Sequence, residues 1–284
     1  MTRALVLSGG GPVGIAWETG IVTGLADAGV DLADADLIVG TSAGAAVGAQ
    51  MAIGLDLTEQ LSRFHRPASG SAGPAAGAGL AKLIELMTEP GDPEERRRRI
   101  GRYALEADTA PEAAFVASFE HLRAKRWPAR FRCTAADAES GEFAVWEGQP
   151  GVDLDRAVAS SCAVPGIFPP ITINGRRYID GGMRSLTNAD LAAGHDRVLV
   201  VTLTGGARSA GAGPWAEHLR RTSAAEREAI AAAGGVVEVV GPDAEASSVM
   251  GLNLMASDRL LEVAEVARSQ AKREADRLGD FWAA

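Results

Sequence analysis

Two short motifs in this sequence contain residues that could perform chemistry together. The first, Gly40-Thr41-Ser42-Ala43-Gly44, places a serine between two glycines. Its predicted position, directly after a buried strand and before a helix, is typical of a nucleophile elbow, which exposes the serine hydroxyl on a sharp turn. Gly40 and Gly44 fit this interpretation because such a turn leaves little room for side chains two residues from the serine. Ser42 is therefore a candidate nucleophile, and an ordinary N-cap serine is the alternative.

The second motif, Asp180-Gly181-Gly182, follows the later strand of a predicted hairpin whose turn is Asn174-Gly175. Asn-Gly is the strongest two-residue hairpin signal, so we expect Asp180 at the end of a strand. An aspartate before glycine is also a common turn residue. His195 lies at a strand start, opposite the carboxyl ends where α/β sites form, and no histidine has a supporting motif. A Ser42-Asp180 dyad, with the carboxylate as base, therefore explains the sequence better than a triad containing histidine.

A glycine-rich loop at residues 9–14 (GGGPVG) follows the first predicted strand. The backbone N–H groups of Gly9, Gly10 and Gly11 could approach a bound carbonyl closely and stabilise an oxyanion. The spacing from Gly9 to Gly14 also satisfies the dinucleotide-binding fingerprint, so a nucleotide-binding oxidoreductase is an alternative. That fingerprint expects an acidic residue at the end of the second strand, where this chain has glycine, threonine and serine. A purely structural turn is a further alternative.

The composition limits the class of protein. The chain has 284 residues, 46% of them apolar, which suits one large α/β domain. A formal net charge of −9 argues against a dedicated nucleic-acid-binding protein. The spacing of Cys133 and Cys162 indicates neither a disulfide framework nor a metal site, and we expect two buried thiols. We see no signal peptide and no apolar run of membrane-spanning length, and so expect a cytoplasmic protein with peripheral membrane contact.

Alternating strand and helix signals predict an α/β fold with a mainly parallel sheet. The strands are predicted at residues 3–7, 37–39, 131–135, 143–146, 171–173, 176–179, 198–201 and 236–240, and the helices at 15–28, 43–53, 154–160, 215–233 and 256–278.

Residues 55–128 are predicted to form a helical insertion within a single domain, 1–284. Inside it, residues 69–79 (SGSAGPAAGAG) have the composition of a flexible connector. An apolar stripe with helical spacing follows, formed by Leu80, Leu83, Ile84 and Met87. This stripe could be the inner face of a mobile lid or an ordinary part of the core.

Taken together, these motifs resemble the patatin-like phospholipase family. The glycine loop, the elbow and the Asp-Gly-Gly motif occur in the family's order, and residues 159–170 (ASSCAVPGIFPP) resemble its segment before the hairpin. The resemblance implies a three-layer α/β/α fold and a lipid acyl hydrolase acting on lipid or fatty-acyl esters, without metal or organic cofactor. It also implies Ser42 as nucleophile, Asp180 as base, and the oxyanion near Gly9, Gly10 and Gly11, with structural support from Gly14, Gly40, Gly44, Gly181 and Gly182.

The sequence departs from the family pattern at one place in the glycine loop. Val13 occupies a position where the family often has lysine or arginine, so the loop lacks a cationic group that could bind an anionic head group. A catalytically silent regulatory module that keeps the fold remains an alternative to the hydrolase.

Overall fold

The computed structural model describes residues 1–64, 74–204 and 213–283. The strands are β1 (Arg3–Leu7), β2 (Leu37–Gly40), β3 (Phe131–Asp137), β4 (Phe143–Trp146), β5 (Ile171–Ile173), β6 (Arg176–Asp180), β7 (Arg197–Val201) and β8 (Val236–Val240). The helices are α1 (Gly11–Asp27), α2 (Ala43–Ala52), α3 (Leu57–Phe64), α4 (Pro74–Thr88), α5 (Pro93–Glu106), α6 (Glu112–Ala117), α7 (Leu154–Ser161), α8 (Pro214–Ala232), α9 (Ala244–Met250) and α10 (Leu260–Ala283). Within these ranges, no helix is both long and apolar enough to cross a membrane.

The strands form one mainly parallel sheet, as predicted. Hydrogen-bonded neighbours follow one another in the order β5-β6-β3-β2-β1-β7-β8, with β6 and β2 paired to successive parts of one edge of β3 and β4 paired to its other edge. β1, β2, β3, β7 and β8 run parallel, whereas β4 and β6 are antiparallel to β3. The predicted Asn174-Gly175 turn joins β5 and β6, and both residues have positive φ angles, 50° and 79°, as this hairpin type requires.

Helices cover both faces of the sheet and create three layers. Leu5 and Leu7 of β1 pack in the same core cluster as residues of α1, α2 and α10. Ala4 and Val6 point to the opposite face, in a cluster that includes Ile230 of α8. Because side chains alternate along a strand and both faces are covered, β1 needs an apolar residue at every inner position. The continuous apolar run in the sequence thus follows from the three-layer α/β/α architecture.

Strand β3 brings the ends of strands β2 and β6 together. Cys133 pairs with Gly40 of β2 and also with β4, so these two strands lie on opposite edges of β3. Ala135 pairs with β4 and with Asp180 of β6, so β6 lies on the same edge as β2. The end of β2 and the end of β6 therefore lie next to each other along one edge of β3. They pair with Cys133 and Ala135, which are only two residues apart in β3.

The predicted flexible connector at residues 69–79 is wrong for the part that the structure describes. Residues 74–79 form the beginning of α4, while residues 69–73 lie outside the described ranges. The composition explains the difference, because this half of the segment is rich in alanine, a strong helix former, and Pro74 stands at the helix start, where proline is favoured.

The apolar stripe of α4 packs on the protein itself. Leu83 and Met87 are buried in a cluster with Ile100 of α5 and with Ile179 and Met183, which lie on either side of Asp180 in the sequence. This packing is common to a closed lid and to a fixed insertion, so motion of the segment stays a prediction.

The C-terminal region differs from prediction at two points. α10 begins at Leu260 rather than at residue 256, and α9 was not predicted. Asp243 caps α9 by accepting a hydrogen bond from the Ala246 N–H at 2.8 Å. Gly251, with φ of 64°, ends α9, and the following loop reaches the glycine loop, where the Leu254 carbonyl accepts a hydrogen bond from the Val13 N–H. This long-range contact has no local sequence signal.

Candidate active site

Ser42 lies at a strained turn between β2 and α2. Its φ and ψ are 53° and −116°, outside the regions that non-glycine residues usually adopt. A Cβ atom at Gly44 would lie 2.1 Å from the Leu7 carbonyl oxygen, and one at Gly40 would lie 2.5 Å from the Ala45 Cα. The two glycines of the motif are therefore needed for close backbone packing. The Ser42 side chain makes no capping hydrogen bond, so the geometry is that of an elbow and not of an ordinary N-cap.

Asp180 is a buried carboxyl group beside Ser42. Only 2% of the residue is exposed, and its backbone N–H donates to the Ala163 carbonyl at 3.1 Å. Its Oδ1 accepts a hydrogen bond from the Gly182 N–H at 2.7 Å. Burial raises the pKa of Asp180 to about 7, although hydrogen bonds from the Gly182 N–H and the Ser42 hydroxyl act in the opposite direction. The structure thus brings together the two predicted dyad residues, 138 positions apart in the sequence (180 − 42).

The end of α7 holds both members of this pair. The Ser161 hydroxyl accepts a hydrogen bond from the Ser42 N–H at 3.0 Å, and the Cys162 thiol donates to the Ser42 carbonyl at 3.1 Å. The next residue, Ala163, binds the Asp180 N–H. Burial raises the pKa of the Cys162 thiol, and the nearby Asp180 carboxylate raises it further, so Cys162 stays a neutral thiol. Three consecutive residues of the segment at 159–170 therefore fix the positions of Ser42 and Asp180.

Behind the pair lies a buried polar cluster centred on Asn188, which sequence reasoning missed. The Asn188 side-chain amide lies within hydrogen-bond distance of the Thr41 hydroxyl at 3.0 Å and the Ser185 carbonyl at 2.7 Å. It also approaches the Thr134 hydroxyl and the Gly181 carbonyl, both at 3.3 Å. Asn188 thereby joins the residue before the nucleophile to the residue after the base. A weak signal existed in the sequence, because a threonine among small and apolar residues of a buried strand, here Thr134 of β3, needs a polar partner.

The glycine loop lies directly against the elbow. A Cβ atom at Gly9 would be 3.4 Å from the Ser42 Cβ, and one at Gly14 would be 3.1 Å from the Ala43 Cβ. Together with Gly44, whose N–H donates to the Ser8 carbonyl at 2.9 Å, these contacts join the starts of α1 and α2.

The three predicted oxyanion donors have different surroundings. The Gly9 N–H donates to the Leu186 carbonyl at 2.7 Å and is occupied in this conformation. Gly10 is the N-cap of α1 and Gly11 is its first residue. Residues at these positions carry N–H groups that have no partner inside the helix, together with the positive end of the helix dipole.

The histidines lie away from this constellation or bond elsewhere. Nδ1 of His195 lies 3.0 Å from the Ala192 carbonyl, just before β7 begins. His218 stacks on Trp215 in α8, and His121 bonds Gln50. His65 is outside the described residues. Over the part of the chain that the structure describes, no three histidine, cysteine, aspartate or glutamate side chains are placed to hold a metal ion.

The chain is similar to two proteins of known structure and matches one protein family. Among solved structures, the fold is similar to VipD from Legionella pneumophila (12% identity, TM-score 0.44, covering 96% of this chain and 67% of that one). It is also similar to the type III effector protein ExoU (17% identity, TM-score 0.38). That similarity covers 97% of this chain and 53% of the ExoU chain, so this chain spans about half the length of ExoU. A search of curated proteins gives no match. The family model for patatin-like phospholipase matches residues 5–193, which is two thirds of the chain. This part contains the glycine loop, Ser42 and Asp180. The chain therefore belongs to the patatin-like phospholipase family.

Proposed function

We propose that this protein is a serine acyl hydrolase that cleaves a carboxylic ester bond of a lipid, with Ser42 as nucleophile and Asp180 as general base. The observation that carries the proposal is the buried Asp180 carboxyl group beside the hydroxyl of a serine on a strained elbow. Membership of a lipid-hydrolase family supports the substrate class.

The environment of Asp180 suits the role of base. A carboxylate with its ordinary pKa of 3.8 is a weak base toward a serine hydroxyl. Burial raises the pKa to about 7, which brings the group close to neutral pH, where a general base is both ionised to a large extent and strong enough to accept a proton.

The reaction then proceeds in two halves. Asp180 takes the proton from the Ser42 hydroxyl while Oγ attacks the carbonyl carbon of the ester, and the protonated Asp180 returns that proton to the departing alcohol. An acyl group remains attached to Ser42. In the second half, Asp180 takes a proton from water as the water oxygen attacks the acyl carbon. When the bond from that carbon to Ser42 Oγ breaks, the protonated Asp180 returns the proton to Oγ, which releases the fatty acid and restores the Ser42 hydroxyl and the Asp180 carboxylate.

The oxyanion that forms in both halves needs fixed hydrogen-bond donors. The N–H groups of Gly10 and Gly11 are the candidates, because the Gly9 N–H is occupied by the Leu186 carbonyl. We assign Gly9 the supporting role of holding the loop against Ser42. Loss of one such donor typically costs about 3–4 kcal/mol of transition-state stabilisation.

Covalent labelling tests this proposal. We expect a fluorophosphonate probe to add one equivalent to the wild-type protein and none to Ser42→Ala, as measured by intact-protein mass spectrometry. Ser118→Ala is the matched control, since Ser118 is exposed at the end of α6, and it should be labelled like the wild type. Equal labelling of Ser42→Ala and wild type would remove Ser42 as nucleophile, and no labelling of the wild type would favour a catalytically silent member of the family.

The partner implied by this function is a lipid or fatty-acyl ester presented in a membrane or micelle. An ester panel that varies acyl-chain length, with phospholipids and lysophospholipids beside neutral esters, would define the substrate. We expect activity on aggregated esters to exceed activity on the same esters below their critical micelle concentration.

A further inference from the structure

A cleft of about 440 Å³ lies between the α4–α5 connection and the start of α8. Arg96 of α5 lines one side, and His218 and Arg221 of α8 line the other. Two acidic residues, Glu89 and Glu217, also belong to the wall. None of these residues takes part in the proposed hydrolysis.

The charge balance of this cleft is positive because its acidic residues are already paired. Glu89 pairs with Arg99 at 3.3 Å, and Glu217 pairs with Arg220 at 2.8 Å; neither partner lines the cleft. Within the described residues, Arg96 and Arg221 make no ion pair. The segments outside the description, residues 65–73 and 205–212, contain no aspartate or glutamate that could supply one.

Arg96 and His218 are held in place by their surroundings. Arg96 donates to the carbonyls of Met87 at 3.1 Å and Gly91 at 3.3 Å, and its buried Nε has no partner within the described residues. His218 stacks on Trp215 with the ring centroids 5.6 Å apart. Burial lowers the pKa of His218, and the charges of Arg96 and Arg221, which line the same cleft, lower it further.

We propose that this cleft binds a phosphate group between Arg96, His218 and Arg221. Guanidinium groups form strong, charge-assisted hydrogen bonds to phosphate oxygens, and two of them on different helices can hold one phosphate from two sides. The cleft also meets the first turn of the 19-residue helix α8 through Pro214 and Glu217, where the helix dipole favours an anion.

A second, smaller cavity adjoins this cleft and is lined in part by residues that follow Asp180. It shares Met87 and His218 with the cleft and extends to Gly182 and Leu186. The Gly182 N–H binds the Asp180 carboxylate, and the Leu186 carbonyl binds the glycine loop. A phosphate in the cleft would therefore lie on the same side of the molecule as the reacting ester. The glycine loop lacks its own cation at Val13, and these arginines would supply the positive charge from another element. We assign this phosphate to the head group of a lipid substrate, an assignment that rests on the proposed function. A free phosphate ion would bind the side chains of Arg96, His218 and Arg221 in the same way.

The first experiment measures phosphate binding without any enzyme assay. Inorganic phosphate is titrated into the full-length protein by calorimetry at constant ionic strength, with chloride as the reference anion. We expect saturable binding to the wild type and a dissociation constant raised about tenfold or more in Arg221→Gln, since hydrogen bonds to charged groups are worth roughly a factor of ten or more.

Arg221 is exposed, so its replacement should leave the fold intact. Arg227→Gln, the same charge change at an exposed position of the same helix, should bind like the wild type. Arg96 is a poorer test because its hydrogen bonds hold the end of α4.

The second experiment identifies the source of the phosphate. The ratio of kcat/KM for short-chain phosphatidate to kcat/KM for the matching neutral diacylglycerol should fall about tenfold or more in Arg221→Gln and stay at the wild-type value in Arg227→Gln. Loss of phosphate binding with an unaltered ratio would support the site with free phosphate as its ligand. Absence of saturable phosphate binding to the wild type, or equal binding by Arg221→Gln, overturns the proposal. If the wild type hydrolyses no ester, the proposed function fails, and the titration alone still decides whether the cleft binds phosphate.

Discussion

Replacement of Asp180 by asparagine should lower the rate of hydrolysis about 10³-fold and, at neutral and alkaline pH, make the protein more stable. The reason is that burial raises the pKa of Asp180 from 3.8 to about 7, so the folded protein resists ionisation of this group. Between these two values the unfolded chain has lost the proton while the folded protein keeps it. The folded state then binds more protons, and the free energy of unfolding falls as the pH rises through this interval.

The magnitude follows from the size of the shift. A difference of about 3 pKa units corresponds to about 4 kcal/mol of stability that is present below about pH 4 and lost by about pH 7. Asparagine has no charge to bury, and its side-chain oxygen can still accept the hydrogen bond from the Gly182 N–H. The gain in stability from Asp180→Asn should therefore grow by about 3 kcal/mol between about pH 5 and about pH 8.

Urea-induced unfolding of both proteins at these two pH values measures this difference. Asp196→Asn is the control. A hydrogen bond from the Thr2 N–H to the exposed Asp196 carboxylate lowers the pKa of this group. Asp196 is therefore ionised in both the folded and the unfolded protein between about pH 5 and about pH 8. Its effect on stability should be the same at both pH values. In activity, kcat/KM of the wild type should rise with pH through about 7 as Asp180 ionises, and Asp180→Asn should lose about 10³-fold. A stability gain that does not change with pH would refute the assignment of a buried, proton-retaining carboxyl group.

Four further outcomes are expected. Gly44→Ala should lose more than about 3 kcal/mol of stability or fail to fold, because its Cβ would meet a backbone carbonyl of β1 at 2.1 Å. Gly29→Ala is the control, because Gly29 has open space around it and a φ of 89°; in thermal unfolding it should lose only about 1 kcal/mol of stability. Asn188→Ala should slow fluorophosphonate labelling about tenfold or more with the fold retained by circular dichroism, since it removes the link between elbow and base; unchanged labelling would make Asn188 a purely structural residue. His195→Ala should keep kcat within about tenfold of wild type, because a residue outside the dyad contributes no proton transfer. Hydrogen exchange across residues 80–87 should accelerate in detergent micelles if α4 moves as a lid, and slow exchange independent of detergent would favour a fixed insertion.

Much of the fold was predictable because its signals are local. The apolar runs of the eight strands, the Asn174-Gly175 hairpin and the strand–turn–helix setting of Ser42 each depend on neighbouring residues only. The prediction of a flexible connector was wrong for residues 74–79, the part of that segment that the structure describes, because the alanines there propagate a helix. It missed Asn188 because a buried asparagine is defined by partners that come from three other segments.

The sequence by itself determined the chemistry of the parts: a serine with glycines on both sides, a carboxylate before two glycines, and a loop with exposed backbone N–H groups. These are properties of residue type and of local backbone geometry. Only the tertiary structure decided that Ser42 and Asp180 meet, because their contact depends on β2 and β6 sharing one edge of β3. It also decided the pKa of Asp180, since burial by several elements, and not any neighbour in sequence, withdraws the carboxyl group from water.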